Sequence, residues 1–377
     1  MNAVRALRAE QIFTGEAMRG PTVLLVENGR VRDLCAEPPP GVPLERLPAG
    51  LILAPGFIDL QVNGGGGVLF NDCPSVETLR IMAAAHRRFG TTAMMPTLIT
   101  DIPAKMGAAA AAVRAAQDSN EPGIIGLHFE GPFLNPLRKG VHDPALIRPP
   151  TQDDLRFLCE QTPRPLLLTL APEIAGEATI ALLTRAGIAV SIGHSAASYE
   201  QARAAVTAGA RGFTHLFNAM PPLSGRDPGL LGAALESPAG VAGIIADGHH
   251  VHPANLRLAW RTRQAGGLAL VTDAMASVGT DLDGFVLQGR RVRVDAGRLL
   301  AEDGVLAGAH LEMAAAVRNA MRLMGASLQD ALRMASTTPA ALLGLIDRGH
   351  LLPGAVADMV AITDDSAIHR VWIAGEA

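Results

Sequence analysis

Lysine is almost missing from this chain. Of 377 residues only Lys105 and Lys139 carry an ammonium, so arginine supplies nearly all the positive charge. Aromatic residues are scarce too, at 3%, and a core made without them has to come from Ala, Leu, Val and Ile, which the 49% hydrophobic share provides. Three scattered cysteines, Cys35, Cys73 and Cys159, form no C-x-x-C pair. They exclude a disulfide framework or zinc ribbon and fit a reducing compartment. A formal net charge of −4 leaves no basic face, which removes nucleic acid as a partner class. No apolar run reaches the ~18 residues of a membrane span, and the opening MNAVRALRAE lacks the apolar centre of a signal peptide. The expectation is a soluble, cytoplasmic protein with no membrane partner.

What is present begins with a β-rich stretch. Short runs such as TVLLVENGR and VRDL are separated by turn residues, Asn28-Gly29 being a strong hairpin signal, and PPPGVP then breaks the chain. From Leu51 the pattern becomes strands alternating with Ala-rich helices. LILAPGFIDLQVN, TTAMMPTLIT, GIIGLHFEG, PLLLTLAPE, AGIAVSIGHS, GFTHLFNAM, GVAGIIADG and LALVTDAM read as the strands. Eight strands alternating with helices are the signature of a (β/α)8 TIM-type barrel. Ser75 is a candidate cap and Gly90 a stop for the first helix. The unit after GFTHLFNAM reads as mostly loop, and FVLQGRRVRVDAGRLL alternates like a hairpin inserted after the eighth strand. The tail returns to strands. The domain expectation is therefore a small β-sandwich made from both chain ends, residues 1–52 and 350–377, around a barrel at 53–349.

Within the barrel the stretch GIIGLHFEGPF anchors the chemistry. A buried apolar run ends in Glu130 and then a Gly-Pro turn, which puts a carboxylate at the mouth of the sheet, where parallel barrels do their chemistry. Other strand ends are polar as well: Gln61 and Asn63 on the first, His194 on the fifth, His215 on the sixth and Asp273 on the eighth. A lone histidine there would pass as a core or loop residue; two with two carboxylates would not. One carboxylate and two neutral imidazoles suit Zn²⁺ with a fourth position open, and leave Asp273 free as a base.

The motifs PGFIDLQVNGGGG, HFEGPFLNP, GVHDP, SIGHS, THLFNAMPPLSGRDPG, IIADGHHVHP and LVTDAM occur in order from about Leu51. As a set they resemble the amidohydrolase superfamily and, within it, the N-acetylglucosamine-6-phosphate deacetylases. The resemblance implies metal ligation by Glu130, His194 and His215, proton transfer by Asp273, and polarisation of the acetamide carbonyl by His142. It implies that Asn218 and Ala219 hold the sugar phosphate, with Arg226 and His250 as further phosphate contacts, and that one such contact crosses a homodimer interface. The implied reaction is deacetylation of N-acetylglucosamine 6-phosphate, in amino-sugar catabolism and cell-wall sugar recycling.

Two departures qualify the pattern. Binuclear relatives carry His-x-His on the first strand, where this chain has Gln61-Val62-Asn63, so a second metal site there should be weak or empty. The bridging carbamylated lysine of such relatives has no counterpart, because Lys105 falls in a helix and Lys139 in a loop. One divalent ion per chain is expected, Zn first, with Fe, Co or Mn as alternatives. His249 and His252 read as loop residues and His310 as the polar first residue of a helix. The rival readings are a deacetylase of another acetamido sugar phosphate, and a barrel without metal serving as an assembly module.

Overall fold

The computed structural model describes residues 4–377. Eight parallel strands form its central sheet: β1 Phe57–Val62, β2 Thr91–Ile99, β3 Leu127–Glu130, β4 Leu166–Leu170, β5 Ala189–Ile192, β6 Gly212–Phe213, β7 Val241–Ile244 and β8 Leu268–Leu270. Each pairs with its neighbour in chain order. A parallel bridge between Val62 and Ala274, just past β8, draws the two ends together. This is the expected (β/α)8 barrel. Its strands are buried along their whole length, because helices cover one face and side chains fill the other, hence the near-continuous apolar runs.

The helices explain themselves locally. Ser75 caps the helix Val76–Arg87 by accepting from Thr78 N, and Gly90 follows it at φ +88°. Thr151 with Asp154, and Ser198 with Gln201, make capping boxes for Gln152–Glu160 and Tyr199–Thr207. The unit after β6 departs from expectation, since Gly229–Glu236 is a helix rather than loop. The inserted segment is fuller than a hairpin. Strands Gly284–Leu287, Arg290–Asp295, Arg298–Ala301 and Leu306–Ala309 form an antiparallel sheet whose last strand docks on the end of β8.

The run LILAPGFIDLQVN is also two strands, not one. Ile52–Pro55 pairs with Met359–Ile362 in a five-stranded sheet, and only Phe57 onward enters the barrel. Gly56 makes the break; a Cβ there would stand 2.1 Å from Thr92 Oγ1. The five-stranded sheet runs Ile368–Trp372, Met359–Ile362, Ile52–Pro55, Gln11–Phe13, Met18–Arg19. A second sheet of four strands, Arg30–Cys35, Thr22–Glu27, Arg5–Ala9 and Leu44–Arg46, packs on it over Leu7, Leu24, Leu53, Met359 and Trp372. Both ends of the chain thus meet in one β-sandwich beside the barrel.

Candidate active site and metal centre

Glu130 is the last residue of β3, and His194 and His215 each lie two residues past the ends of β5 and β6. The turns that carry the imidazoles are tight. His194 has φ +47° and His215 φ +28°, left-handed conformations that a β-strand end adopts only where packing imposes them. Gly193 makes the first turn feasible, because a Cβ there would lie 2.7 Å from Thr214 Cβ.

The three side chains converge. Glu130 Oε1 is 3.0 Å from His194 Nε2 and 2.8 Å from His215 Nε2, and the two Nε2 atoms are 3.1 Å apart. All three residues are buried, and they are the one grouping of this kind among the described residues. His194 Nδ1 lies 2.7 Å from the carbonyl of Arg138, which holds a proton on Nδ1, so that in the neutral ring Nε2 is the lone pair available to a metal. Two imidazole nitrogens and a carboxylate oxygen crowded on one point are the donor set that a divalent metal requires. Burial alone would raise the Glu130 carboxyl. The hydrogen bonds from His194 and His215 outweigh it and hold Glu130 well below the usual carboxylate range.

Asp273 stands opposite, three residues beyond β8, with φ +52°. Burial, reinforced by the charge of Glu130, pushes its carboxyl up to about 6. Gln61 Nε2 and Asn63 Nδ2 lie 3.2 Å and 2.6 Å from Asp273 Oδ1. His142 completes the group. Thr100 N–H donates to its Nδ1 at 3.3 Å, so the proton of the neutral ring sits on Nε2, which faces Glu130 Oε2 at 3.9 Å. Burial, with the neighbouring His194 charge, pushes His142 down to about 3, so it stays neutral at physiological pH.

A cavity of about 520 Å³ opens over these groups. Asn218, Ala219 and His250 line it with Glu130, His142, His194, His215 and Asp273. His250 Nδ1 is held by Asp247 Oδ2 at 2.6 Å. Arg226 is not brought in; it is exposed, on the loop before the helix Gly229–Glu236. His249 and His252 are outside the cavity, and His252 caps the helix Pro253–Gly267 by accepting from Ala254 N. His310 does not open a helix. Glu312 is the cap of Met313–Asn319, and His310 precedes it, 2.9 Å from Ser277 Oγ.

Several site residues escape a reading of the sequence. Glu173 ties the β3 and β5 loops together: its carboxylate accepts from Asn135 Nδ2 at 2.9 Å, Ser195 Oγ at 2.7 Å and Ala196 N at 2.6 Å. Arg138 orients His194 through its carbonyl and also lines the cavity. Thr100 sets the tautomer of His142. None carries a sequence signal, because each acts through a loop contact that only the closed barrel creates.

Comparison with known proteins agrees with this geometry. The amidohydrolase family profile matches residues 52–377. An N-acetylgalactosamine-6-phosphate deacetylase of Shewanella sp. (strain ANA-3) is 46% identical over 334 residues, 89% of this chain and 84% of the relative. An N-acetylglucosamine-6-phosphate deacetylase of Haemophilus influenzae is 38% identical over 328 residues, 86% of each. The crystal structure of N-acetylglucosamine-6-phosphate deacetylase from Pasteurella multocida superposes with a TM-score of 0.94 at 36% identity, covering 99% of both chains. The chain belongs to the amidohydrolase family.

Proposed function

We propose that this protein hydrolyses the acetamide of N-acetylglucosamine 6-phosphate, releasing acetate and glucosamine 6-phosphate. The observation that carries the reading is the convergence of Glu130, His194 and His215 opposite Asp273 and His142 in one cavity. A divalent ion held by the first three, Zn²⁺ in our reading with Fe, Co or Mn as alternatives, would supply Lewis acidity to the amide carbonyl and to the attacking water. Asp273 takes the proton of that water, and its carboxyl at about 6 makes it a base near neutral pH that can still hand the proton on. His142 donates its Nε2–H to the carbonyl oxygen as negative charge develops there. Asp273 then gives the proton to the departing nitrogen as the C–N bond breaks.

His250, Asn218 and Ala219 bind the sugar phosphate. Arg226, exposed in its own subunit, supplies a planar fork for the phosphate of a second copy in a homodimer. Among the described residues no helix is long and apolar enough to cross a membrane, which accords with an enzyme of amino-sugar metabolism in the cytoplasm. The intact set of ligands and base speaks against a metal-free assembly module.

A second reading has a specific observation behind it. The 46% identical relative is named for the galacto sugar, which differs from the gluco sugar in the configuration of one hydroxyl. Acetate release should therefore be measured on both N-acetylhexosamine 6-phosphates, with and without a chelator. Turnover of the gluco substrate that is lost with chelator and restored by Zn²⁺ is the expected result. A kcat/KM higher for the galacto substrate would reverse the assignment, and no acetate from either would overturn it.

A further inference from the structure

Gln61 lies near the end of β1 and Asn63 one residue past it, and both side chains turn to Asp273. Both are buried, at 2% and 3% exposure, and both amide nitrogens reach one atom, Asp273 Oδ1. A contact of 2.6 Å between an amide and a carboxylate is attractive only through the N–H, which fixes which end of Asn63 faces Asp273. No described residue donates a hydrogen bond to Oδ2. The backbone repeats the arrangement: Asp273 N donates to Gln61 O at 3.0 Å, and Asn63 N donates to Ala274 O at 2.9 Å. The closing seam of the barrel and the side-chain contacts therefore locate Asp273 together.

We propose that Gln61 and Asn63 are positioning residues, a two-point clamp that holds one oxygen of Asp273 and keeps the other presented to the reacting atoms. The proposal rests on the reading of Asp273 as the base. An aspartate carboxylate otherwise turns about a broad, nearly two-fold torsion. A base that takes a proton in one step and returns it to a different atom in the next needs its working oxygen to stay in place between them. Two donors on one oxygen stop the rotation, and they do so from the strand positions where binuclear relatives place metal-binding histidines.

The test uses the metal-loaded enzyme. Asn63→Ala, and Asn63→Asp, which keeps the volume but replaces the donor by an acceptor, should each lower kcat ~10–100-fold, as a misplaced catalytic group does. KM should move less than about two-fold and metal content should stay as in the parent, because substrate and metal are held elsewhere. In an Asp273→Asn background the same Asn63 substitutions should change the residual kcat by less than about two-fold, the non-additivity of groups acting as a unit. Gln61→Leu, similar in size and without a donor, reads the same effect if the Asn63 variants fail to fold. Parental kcat in these variants, an equal loss in both backgrounds, or loss of metal would each overturn the clamp. If Asp273→Asn itself keeps full turnover, the reading of the base has failed, which is a separate outcome.

Discussion

Replacing Asp59 by asparagine should remove a pH-dependent weakening of the fold. Asp59 lies inside β1 with no exposed surface. Its Oδ2 is 2.5 Å from Thr272 Oγ1, and Oδ1 accepts from Thr272 N and Gln61 N, each at 3.2 Å. Burial raises this carboxyl from 3.8 to about 7 in spite of those bonds. Between about pH 4 and 7 the folded chain keeps a proton that the unfolded chain has released. Unfolding therefore releases that proton, so stability from this group is full below about pH 4, falls as pH rises through the window, and levels off above 7. A displacement of roughly three pH units at 1.36 kcal/mol each makes the total fall ~4 kcal/mol. An asparagine side chain at this position could accept the same two N–H groups through its oxygen and donate to Thr272 Oγ1, with nothing to ionise. Denaturant midpoints of the two metal-loaded proteins at about pH 5 and about pH 8 test this, because other titrating groups cancel in the difference. About two pH units of the window lie between these pH values, so the variant should gain on the parent by about 2.7 kcal/mol on going from the lower to the higher pH. Parallel curves for the two proteins, or a variant that loses ground at the higher pH, would refute the reasoning.

Glu130→Gln should lose metal and recover part of its activity in excess Zn²⁺, whereas Asp273→Asn should keep metal and substrate binding while turnover falls ~10²–10⁴-fold. Elemental analysis and kcat on the two purified variants separate a ligand from a base, and a metal-free Asp273→Asn would mean the roles are reversed. Arg226→Ala should raise KM for the 6-phosphate and barely affect slow turnover of the unphosphorylated sugar. Because Arg226 serves a second subunit in this reading, mixing Arg226→Ala with Asp273→Asn protein should restore up to about a quarter of parental activity through hybrid dimers. No restoration after proven subunit exchange would place Arg226 outside the phosphate site.

The barrel is readable because each strand is an apolar run stopped by a polar residue and a turn. Glu130, His194, His215 and Asp273 stand out against that background for the same reason. The helix Gly229–Glu236 is hidden by its own burial. Gly229 through Leu235 are all buried, and a helix covered on every side shows no polar period. It also lacks a side-chain cap, starting instead at Pro228 and Gly229. Glu173 and Arg138 are hidden differently. One sits past the end of β4 and the other in a loop, and a carbonyl or carboxylate that aims another residue leaves no spacing to detect. Gln61 and Asn63 are visible as polar strand ends, yet their partner Asp273 lies about 210 residues away and meets them only when the seam closes.

The pairing of Ile52–Pro55 with Met359–Ile362 also sets an order in time. The two strands are about 300 residues apart, and translation proceeds at roughly 5–20 residues per second, so the first waits roughly 15–60 s for the second. Throughout that interval the cluster around Leu53 lacks the cover that Leu351, Met359, Ala361 and Trp372 give it in the finished sandwich. β1 follows directly and cannot be closed against Ala274 until β8 has emerged. Until the second strand emerges, the edge of Ile52–Pro55 that it covers is left unpaired. Slower translation lengthens that exposure.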